Sequence, residues 1–189
     1  RGHRVSPGTY TLQLKVGGTS VIASAIIKEN PQYNTVDGQY EEYDSMMKIM
    51  EQSLTDMHQK VNLLYTAKNQ LKAIVSTLKK NKDKEDLVQK GKELISKLKK
   101  WDEDMIQRLS KAYDDVENFP NKFTAEYLFL INATESEIPR VNQASKDRKK
   151  ELDAQWEVLN TKAKEFINSA IPNYNKQLWD AGIGAIKLN

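Results

Sequence analysis

The two histidines come first among residues that could do chemistry, because imidazole ligates metals and transfers protons near pH 7. His3 and His58 are the only histidines in the 189 residues. A metal site or an acid–base pair needs partners at fixed spacing, and the sequence offers none beside either residue. His58 follows Met57 at the edge of an apolar stripe. Both histidines are therefore assigned to packing or solvation.

Two acidic clusters offer paired carboxylates, the groups that a glycosidase uses. They lie at residues 102–104 and 114–115. On the outside of a helical bundle such acids are mostly solvated charges. Calcium needs an ordered loop of oxygen ligands, which a helical segment does not provide. The absence of cysteine excludes disulfides and thiolate metal sites. No catalytic residue, metal or cofactor is therefore predicted.

Three lysine-rich stretches have the chemistry to bind phosphate or an anionic surface. They lie at residues 79–84, 97–100 and 146–150. Acids are interleaved with these lysines, which favours solvated, ion-paired faces instead. The net charge is only +3, from 29 basic and 26 acidic residues. Such a small excess is not typical of a dedicated nucleic-acid binder, so no nucleic-acid partner is predicted.

Tryptophans are the remaining candidates, because exposed aromatic rings can line a groove for a glycan or a peptide. Trp101, Trp156 and Trp179 are the candidate surface contacts. A binding groove requires that they form an exposed row. The alternative is core packing, since all three lie on or near the apolar stripes or the tail described below.

These side chains must be positioned by helices, of which the longest is predicted from Asp37 to Lys80. Apolar residues recur there at alternating gaps of three and four, a repeat of 3.5 residues. The stripe comprises Tyr40, Tyr43, Met47, Met50, Leu54, Met57, Val61, Leu64, Lys68, Leu71, Val75 and Leu78. Lys68 is its one departure from apolar character. Other helices must cover such a stripe.

The second helix is predicted over residues 83–118, antiparallel to the first because the connection between them is short. Its apolar stripe ends in Leu109, Ala112 and Val116. Gly91 interrupts the stripe, which indicates either a close helix approach or a frayed first turn.

Two more helices follow. The apolar segment 123–133 favours a short buried helix, with a strand as the alternative. Thr134 and Glu137 fit a capping box, and Pro139 suits the opening turn of a last long helix. That helix is predicted to run to about Ala170, with a stripe that includes Val141, Ala144, Arg148, Leu152 and Trp156. The apolar tail after it is expected to dock on the bundle.

A β-hairpin precedes the helices. Residues 9–16 alternate between polar and apolar, Gly17-Gly18 suits a tight turn, and the return strand 20–28 appears apolar on both faces. Such a strand should be covered on both faces. The hairpin either packs on the helices or ends a β-sandwich whose earlier strands precede Arg1. The first is expected for these residues alone; the second is favoured for the native protein, of which this chain is taken as a fragment.

The predicted class is mainly α: an antiparallel bundle of three long helices and one short helix with an N-terminal β-hairpin. Residues 1–31 form the hairpin, whose Pro7-Gly8-Thr9-Tyr10 start resembles the closing hairpin of an immunoglobulin-like domain, and residues 32–189 form the bundle. No apolar run approaches the ~20 residues that cross a bilayer, so no transmembrane segment is predicted.

Several motifs together resemble the C-terminal region of secreted bacterial proteins with sortilin-like β-propellers (BNR repeats), often labelled glycosyl hydrolases. They are the hairpin that begins Pro7-Gly8-Thr9-Tyr10, the Asn121-Lys122-Phe123 entry to the short helix, Ile138-Pro139-Arg140-Val141, and the ending Leu178 to Ile183 with Ile186. The resemblance implies a secreted, periplasmic or cell-surface location. It also implies that any catalytic residues lie in the propeller.

Three functions are expected from these observations. The favoured one is a non-catalytic C-terminal helical scaffold or interaction module, whose partners are upstream domains of the same polypeptide. The first alternative is a glycan- or peptide-binding accessory module that uses the tryptophans. The second is a self-association element, in which the first helix continues its stripe into a partner chain as a weak homo-oligomer.

Overall fold

The computed structural model describes residues 2–112 and 115–188. It confirms the predicted class, a mainly helical chain with an N-terminal antiparallel hairpin. The elements, in chain order, are β1 (Gly8–Val16), β2 (Thr19–Ile27), α1 (Gln39–Leu78), α2 (Glu85–Met105), α3 (Phe123–Ser136), α4 (Gln143–Glu165) and α5 (Ile171–Asp180).

Helix α1 is the unbroken rod that its sequence predicts. Its 40 residues span about 60 Å at 1.5 Å per residue. Ten of the twelve predicted stripe positions are buried, and the other two, Tyr40 and Leu54, are partly buried. The stripe faces the other helices of the same chain, which share one core with it.

The other helices form two further rods along α1. Lys68 contacts Asp102 and Val75 lies against Gly91, so α1 and α2 run antiparallel. The third rod is α4, a π-helical turn at Phe166–Ala170, and α5. Pro172 lies in the first turn of α5, directly after the π-helical turn. The predicted helix end near Ala170 is therefore a local change of pitch within one rod.

The second rod is broken, which corrects the predicted helix 83–118. Helix α2 ends at Met105, and the stripe residues Leu109, Ala112 and Val116 are exposed. In space, α3 begins beside the C-terminal end of α2, where the Thr124 hydroxyl donates to the Met105 carbonyl at 3.0 Å. The more apolar α3 thus occupies the space beside α1 that a longer α2 would have filled.

The start of α4 also differs from the prediction. Thr134 and Glu137 form no capping box, because α3 extends to Ser136 and the Thr134 hydroxyl donates to the Leu130 carbonyl at 2.9 Å. Asn142 is the N-cap of α4, and its side chain accepts a hydrogen bond from the Ser145 amide at 2.7 Å. A cap at this position satisfies an amide at the start of the helix.

The α4 stripe is narrower than predicted. Leu152 and Trp156 are buried as expected, whereas Ala144 and Arg148 are exposed and Ser145 is buried in their place. The predicted stripe steps by four residues twice, from Ala144 to Arg148 to Leu152, which turns about 80° around the helix, whereas Ser145 lies only about 20° from Leu152.

Gly91 marks a close helix approach, one of the two predicted alternatives. A β-carbon built at Gly91 would lie 2.4 Å from Val75 Cγ2 and 2.6 Å from the Tyr174 hydroxyl. The Tyr174 hydroxyl donates to the Leu87 carbonyl at 2.9 Å. Glycine therefore lets α1, α2 and α5 meet at one point.

The C-terminal tail docks on the bundle, as predicted. Ile186 is buried, and its backbone N–H and carbonyl both bond the Asn175 side chain, at 2.8 and 2.9 Å. Gln70 of α1 bonds the backbone of Lys187 in the same two-way manner.

Candidate interaction site

The hairpin presents an open sheet to solvent. Gly17 and Gly18 take positive φ in its turn, as predicted. The register pairs Leu12 with Ala23 and Leu14 with Val21. Because paired residues share a face, one face is almost wholly apolar. This apolar face comprises Tyr10, Leu12, Leu14, Val16, Val21, Ala23, Ala25 and Ile27.

The opposite face of the hairpin is mixed, because Ile22 and Ile26 of β2 lie there among polar residues of both strands. It carries Thr9, Thr11, Gln13, Lys15, Ser20, Ile22, Ser24 and Ile26. Every residue of β1 and β2 is at least partly exposed, so β2 is not covered on either face within the described chain, contrary to the prediction. The hairpin therefore does not pack on the helices, contrary to the expectation for these residues alone. In the described chain it forms a two-stranded sheet, so both outer edges are unpaired.

A short segment before the hairpin, residues 2–6, ties it to the bundle; we call it the strap. The His3 N–H and Nδ1 bond the Glu51 carboxylate at 3.0 and 2.9 Å. The Arg4 N–H donates to Glu135 at 3.1 Å, and the Ser6 hydroxyl donates to Asp44 at 2.7 Å. The strap thus joins both α1 and α3 through backbone and side-chain groups.

Tyr43 completes the strap from within the core. Its hydroxyl donates to the Arg4 carbonyl at 3.2 Å. Burial, with the nearby Glu135 carboxylate, raises the pKa of Tyr43 to about 12. The phenol therefore stays protonated and remains a donor throughout the physiological range.

The three candidate tryptophans do not form an exposed row. Trp101 is 2% exposed and Trp156 8% exposed, whereas Trp179 is 73% exposed. The Trp101 indole donates to the Leu159 carbonyl at 2.9 Å, and Trp156 stacks on Phe123 with ring centroids 6.2 Å apart. Trp101 and Trp156 are therefore core residues, and Trp179 is the one that lies at the surface.

A buried charge network lies where the second rod breaks. The Lys68 ammonium donates to Asp102 at 3.0 Å, and Arg108 bonds both Asp102 oxygens, at 2.8 and 2.7 Å. The Arg108 guanidinium also lies over the Tyr65 ring, 3.9 Å from its centroid. Lys68 and Asp102 are among the few buried charged residues of the described chain.

Electrostatics at Asp102 favour its charged form. Burial raises the pKa of the Asp102 carboxyl, but the hydrogen bonds from Arg108 and Lys68 outweigh burial and leave it below its usual value. The bond to Asp102 in turn raises the pKa of Arg108. The network is therefore a stable carboxylate held between two cations.

The network was missed at the level of sequence, although one signal pointed to it. Lys68 is the only cation in the α1 stripe, and a buried ammonium requires a carboxylate partner. Arg108 could not have been found this way, because a helix through residue 118 would place it about 120° around the axis from Asp102.

The two histidines and the second acidic cluster are the remaining sequence candidates. His58 is exposed and His3 belongs to the strap. Among residues 2–112 and 115–188, no cluster of three or more His, Cys, Asp or Glu could hold a metal ion. Asp114 of the second acidic cluster lies outside the described residues. In the same two ranges, no helix combines the length and the hydropathy that a membrane crossing requires.

Comparisons with known proteins find no matching family model, no matching curated protein and no matching solved structure.

Proposed function

We propose that this chain is a non-catalytic helical scaffold and interaction module of a larger secreted protein. Its bundle holds the hairpin in a fixed orientation, so that the apolar face can serve as one layer of a neighbouring β-sandwich. The observation that carries the proposal is the solvent-exposed apolar face of a hairpin whose base is tied to the bundle by the strap. Large exposed apolar patches on folded domains typically mark contact surfaces.

The size of the hairpin argues for a β-sheet as its partner. Nine-residue strands are about 30 Å long, and two of them are about 10 Å wide, so one face offers roughly 300 Å². Two copies packed face to face would bury roughly 600 Å² in total, below the ~1,200 Å² of a stable interface. A larger sheet can cover the apolar face and also pair with a free edge.

Charge and sequence support the same partner. Lys15 is the only charged residue from Gly8 to Ile27, and it lies on the mixed face. The partner surface should therefore be apolar and uncharged. The Pro7-Gly8-Thr9-Tyr10 start resembles the closing hairpin of an immunoglobulin-like domain. We therefore assign the partner to such a domain in the same polypeptide, as in secreted sortilin-like BNR-repeat proteins.

Two alternative functions have less support. A glycan or peptide groove lined by the three tryptophans would need exposed rings, and Trp101 and Trp156 are in the core. Self-association through α1 would need a free stripe, and ten of its twelve stripe positions are buried within this chain.

Site-specific labelling tests the proposed contact, because the chain contains no cysteine. Single cysteines would replace Leu14 or Val21 on the apolar face, and Thr11 or Ser24 on the mixed face, in the parent polypeptide and in this chain alone. A thiol-reactive maleimide should label all four positions in the isolated chain. In the parent it should label Leu14→Cys and Val21→Cys at least about 10-fold more slowly, because a covered residue reacts only after local opening.

The two mixed-face variants are the matched control for general accessibility. Equal labelling of both faces in the parent would refute the proposed sheet contact. Hydrolysis of a glycoside by the isolated chain would refute its non-catalytic role.

A further inference from the structure

The break in the second rod forms a cavity with an unusual charge. Its volume is about 530 Å³, and it lies between α1, the end of α2 and the start of α3. Its lining includes six cationic side chains and three carboxylates, an excess of three positive charges. The cations are Lys68, Lys72, Lys99, Lys100, Arg108 and Lys122, and the acids are Asp102, Glu103 and Asp104.

The carboxylates do not neutralise the outer lysines. Asp102 is occupied by Lys68 and Arg108, and Glu103 lies 3.5 Å from Lys99. Within residues 2–112 and 115–188, Lys72, Lys100 and Lys122 form no ion pair, and Asp104 is the one lining carboxylate without a cationic partner. The cavity lining therefore includes three lysines without an ion-pair partner and only one carboxylate without one.

Four other surface cavities of the described chain carry a smaller charge excess or none. Those at the hairpin–bundle junction and between α3 and α4 each carry one cation and one acid. A cavity beside α5 carries two of each, and a cavity at the α1–α2 connection carries three lysines and two acids. The positive excess at the break is thus larger than at any of these four cavities.

We propose that this cavity binds an oxyanion, a phosphate- or sulfate-bearing small molecule. Arg108 uses Nε and Nη2 on Asp102, which leaves Nη1 for a ligand, and its side chain is 34% exposed. Asp102 thereby orients the guanidinium. Its two hydrogen bonds with Arg108 also connect the end of α2 to the segment that follows it. Guanidinium and ammonium groups converging on one space are the usual recognition groups for phosphate and sulfate.

The cavity volume suggests a ligand larger than one inorganic ion. A space of about 530 Å³ lies within the range of small-molecule sites. The proposed ligand is therefore an organic phosphate or sulfate ester, whose charged group contacts the lysines.

Titration of the isotope-labelled chain with inorganic pyrophosphate, followed by amide NMR shifts, tests the proposal. Saturable shifts are expected at residues 66–72, 99–109 and 122. The double variant Lys100→Ser/Lys122→Ser should weaken pyrophosphate binding at least 10-fold, because two charge-assisted contacts are lost. Serine is a favoured N-cap residue, so it suits the start of α3 at Lys122.

The matched control is Lys150→Ser/Lys164→Ser, which removes the same charge from exposed positions of α4. It should change the affinity less than about twofold. Equal weakening by both double variants would mean a general charge effect and would overturn the site, as would the absence of saturable shifts. Parallel titrations with inorganic sulfate and with glucose 6-phosphate identify which oxyanion binds, and tighter binding of the sugar ester is expected.

Discussion

At the scale of single residues, Asp102 joins α1 to the segment that follows α2. It pairs Lys68 of α1 with Arg108 of the segment after α2. Both cations depend on it, since removal of one partner from a buried ion pair leaves an uncompensated charge. The lone lysine in an apolar stripe could have predicted such a partner, whereas the choice among nearby acids could not have been made without coordinates.

The first prediction concerns Asp102→Asn. At pH 7 it should lower the free energy of unfolding by about 3 kcal/mol, because Lys68 and Arg108 lose their counter-charge. Since folding depresses the pKa of Asp102, its stabilisation is full above the unfolded pKa of about 3.9 and is lost as pH falls through the folded pKa. The difference between the two proteins should therefore shrink below about pH 4.

Urea unfolding followed by tryptophan fluorescence at pH 3 and pH 7 measures this difference. Asp104→Asn is the control, because Asp104 is exposed two residues further along the same helix. A loss that is the same at both pH values, or that Asp104→Asn reproduces, would contradict the role given to Asp102.

At the scale of elements, helix ends were harder to predict than helix faces. The 3.5-residue repeat of α1 identified its buried face because nothing interrupts it. The end of α2 depended on competition between two apolar segments for one place beside α1. Helix α3 occupies it with Phe123, Tyr127, Leu130 and Ile131, and Thr124 bonds the last turn of α2.

The second prediction concerns helix contact at Gly91. Helix propensity alone favours Gly91→Ala by about 1 kcal/mol. The new methyl group would overlap Val75 and the Tyr174 hydroxyl, which costs about 1–3 kcal/mol in a packed core. We expect a net destabilisation of about 1 kcal/mol in urea unfolding.

A double-mutant cycle separates the two effects. Tyr174→Phe removes the hydroxyl that lies 2.6 Å from the added carbon, so Gly91→Ala should cost less in that background. If Gly91→Ala stabilises the chain, the close approach is not what requires glycine. If its cost is unchanged in Tyr174→Phe, the overlap with the Tyr174 hydroxyl contributes nothing, and the overlap with Val75 accounts for the cost.

At the scale of the whole molecule, the strap determines how the hairpin is held. It contacts Glu51 and Asp44 of α1 and Glu135 of α3. These contacts join elements 38 to 131 residues apart in the chain. A hairpin so anchored can present one face in a constant direction, as the proposed sheet contact requires.

The third prediction tests this anchoring by electron–electron distance measurement. Spin labels would be placed on Lys15→Cys in β1 and Gln59→Cys in α1, both exposed. Ser6→Ala combined with Glu51→Ala should broaden the distance distribution, because it removes the His3–Glu51 and Ser6–Asp44 bonds and leaves only Tyr43–Arg4 between the strap and α1. The hydrogen bonds removed are each worth about 1 kcal/mol, enough to release a short segment.

Glu93→Ala with Ser169→Ala is the control, since both residues lie outside the strap and its contacts. An equally narrow distribution in the Ser6→Ala/Glu51→Ala protein would show that the strap does not orient the hairpin.

The elements that could be predicted from the amino-acid sequence are those whose signals are local and repeated. The α1 stripe, the Gly17-Gly18 turn and the alternation in β1 each arise from near neighbours, so a periodic pattern suffices to predict them. The docking of the apolar tail was also predictable, because so much apolar surface is costly to expose.

The residues at which helices end and the pairs of side chains in contact could be identified only from the folded chain. The break after Met105 and the burial of Trp101 but not Trp179 depend on residues far apart in sequence, and the pairing of Arg108 with Asp102 depends on that break. The register of β2 likewise decided which residues share a face, because a shift of one residue reverses every side chain. These outcomes follow from competition for space and partners, which a local pattern does not contain.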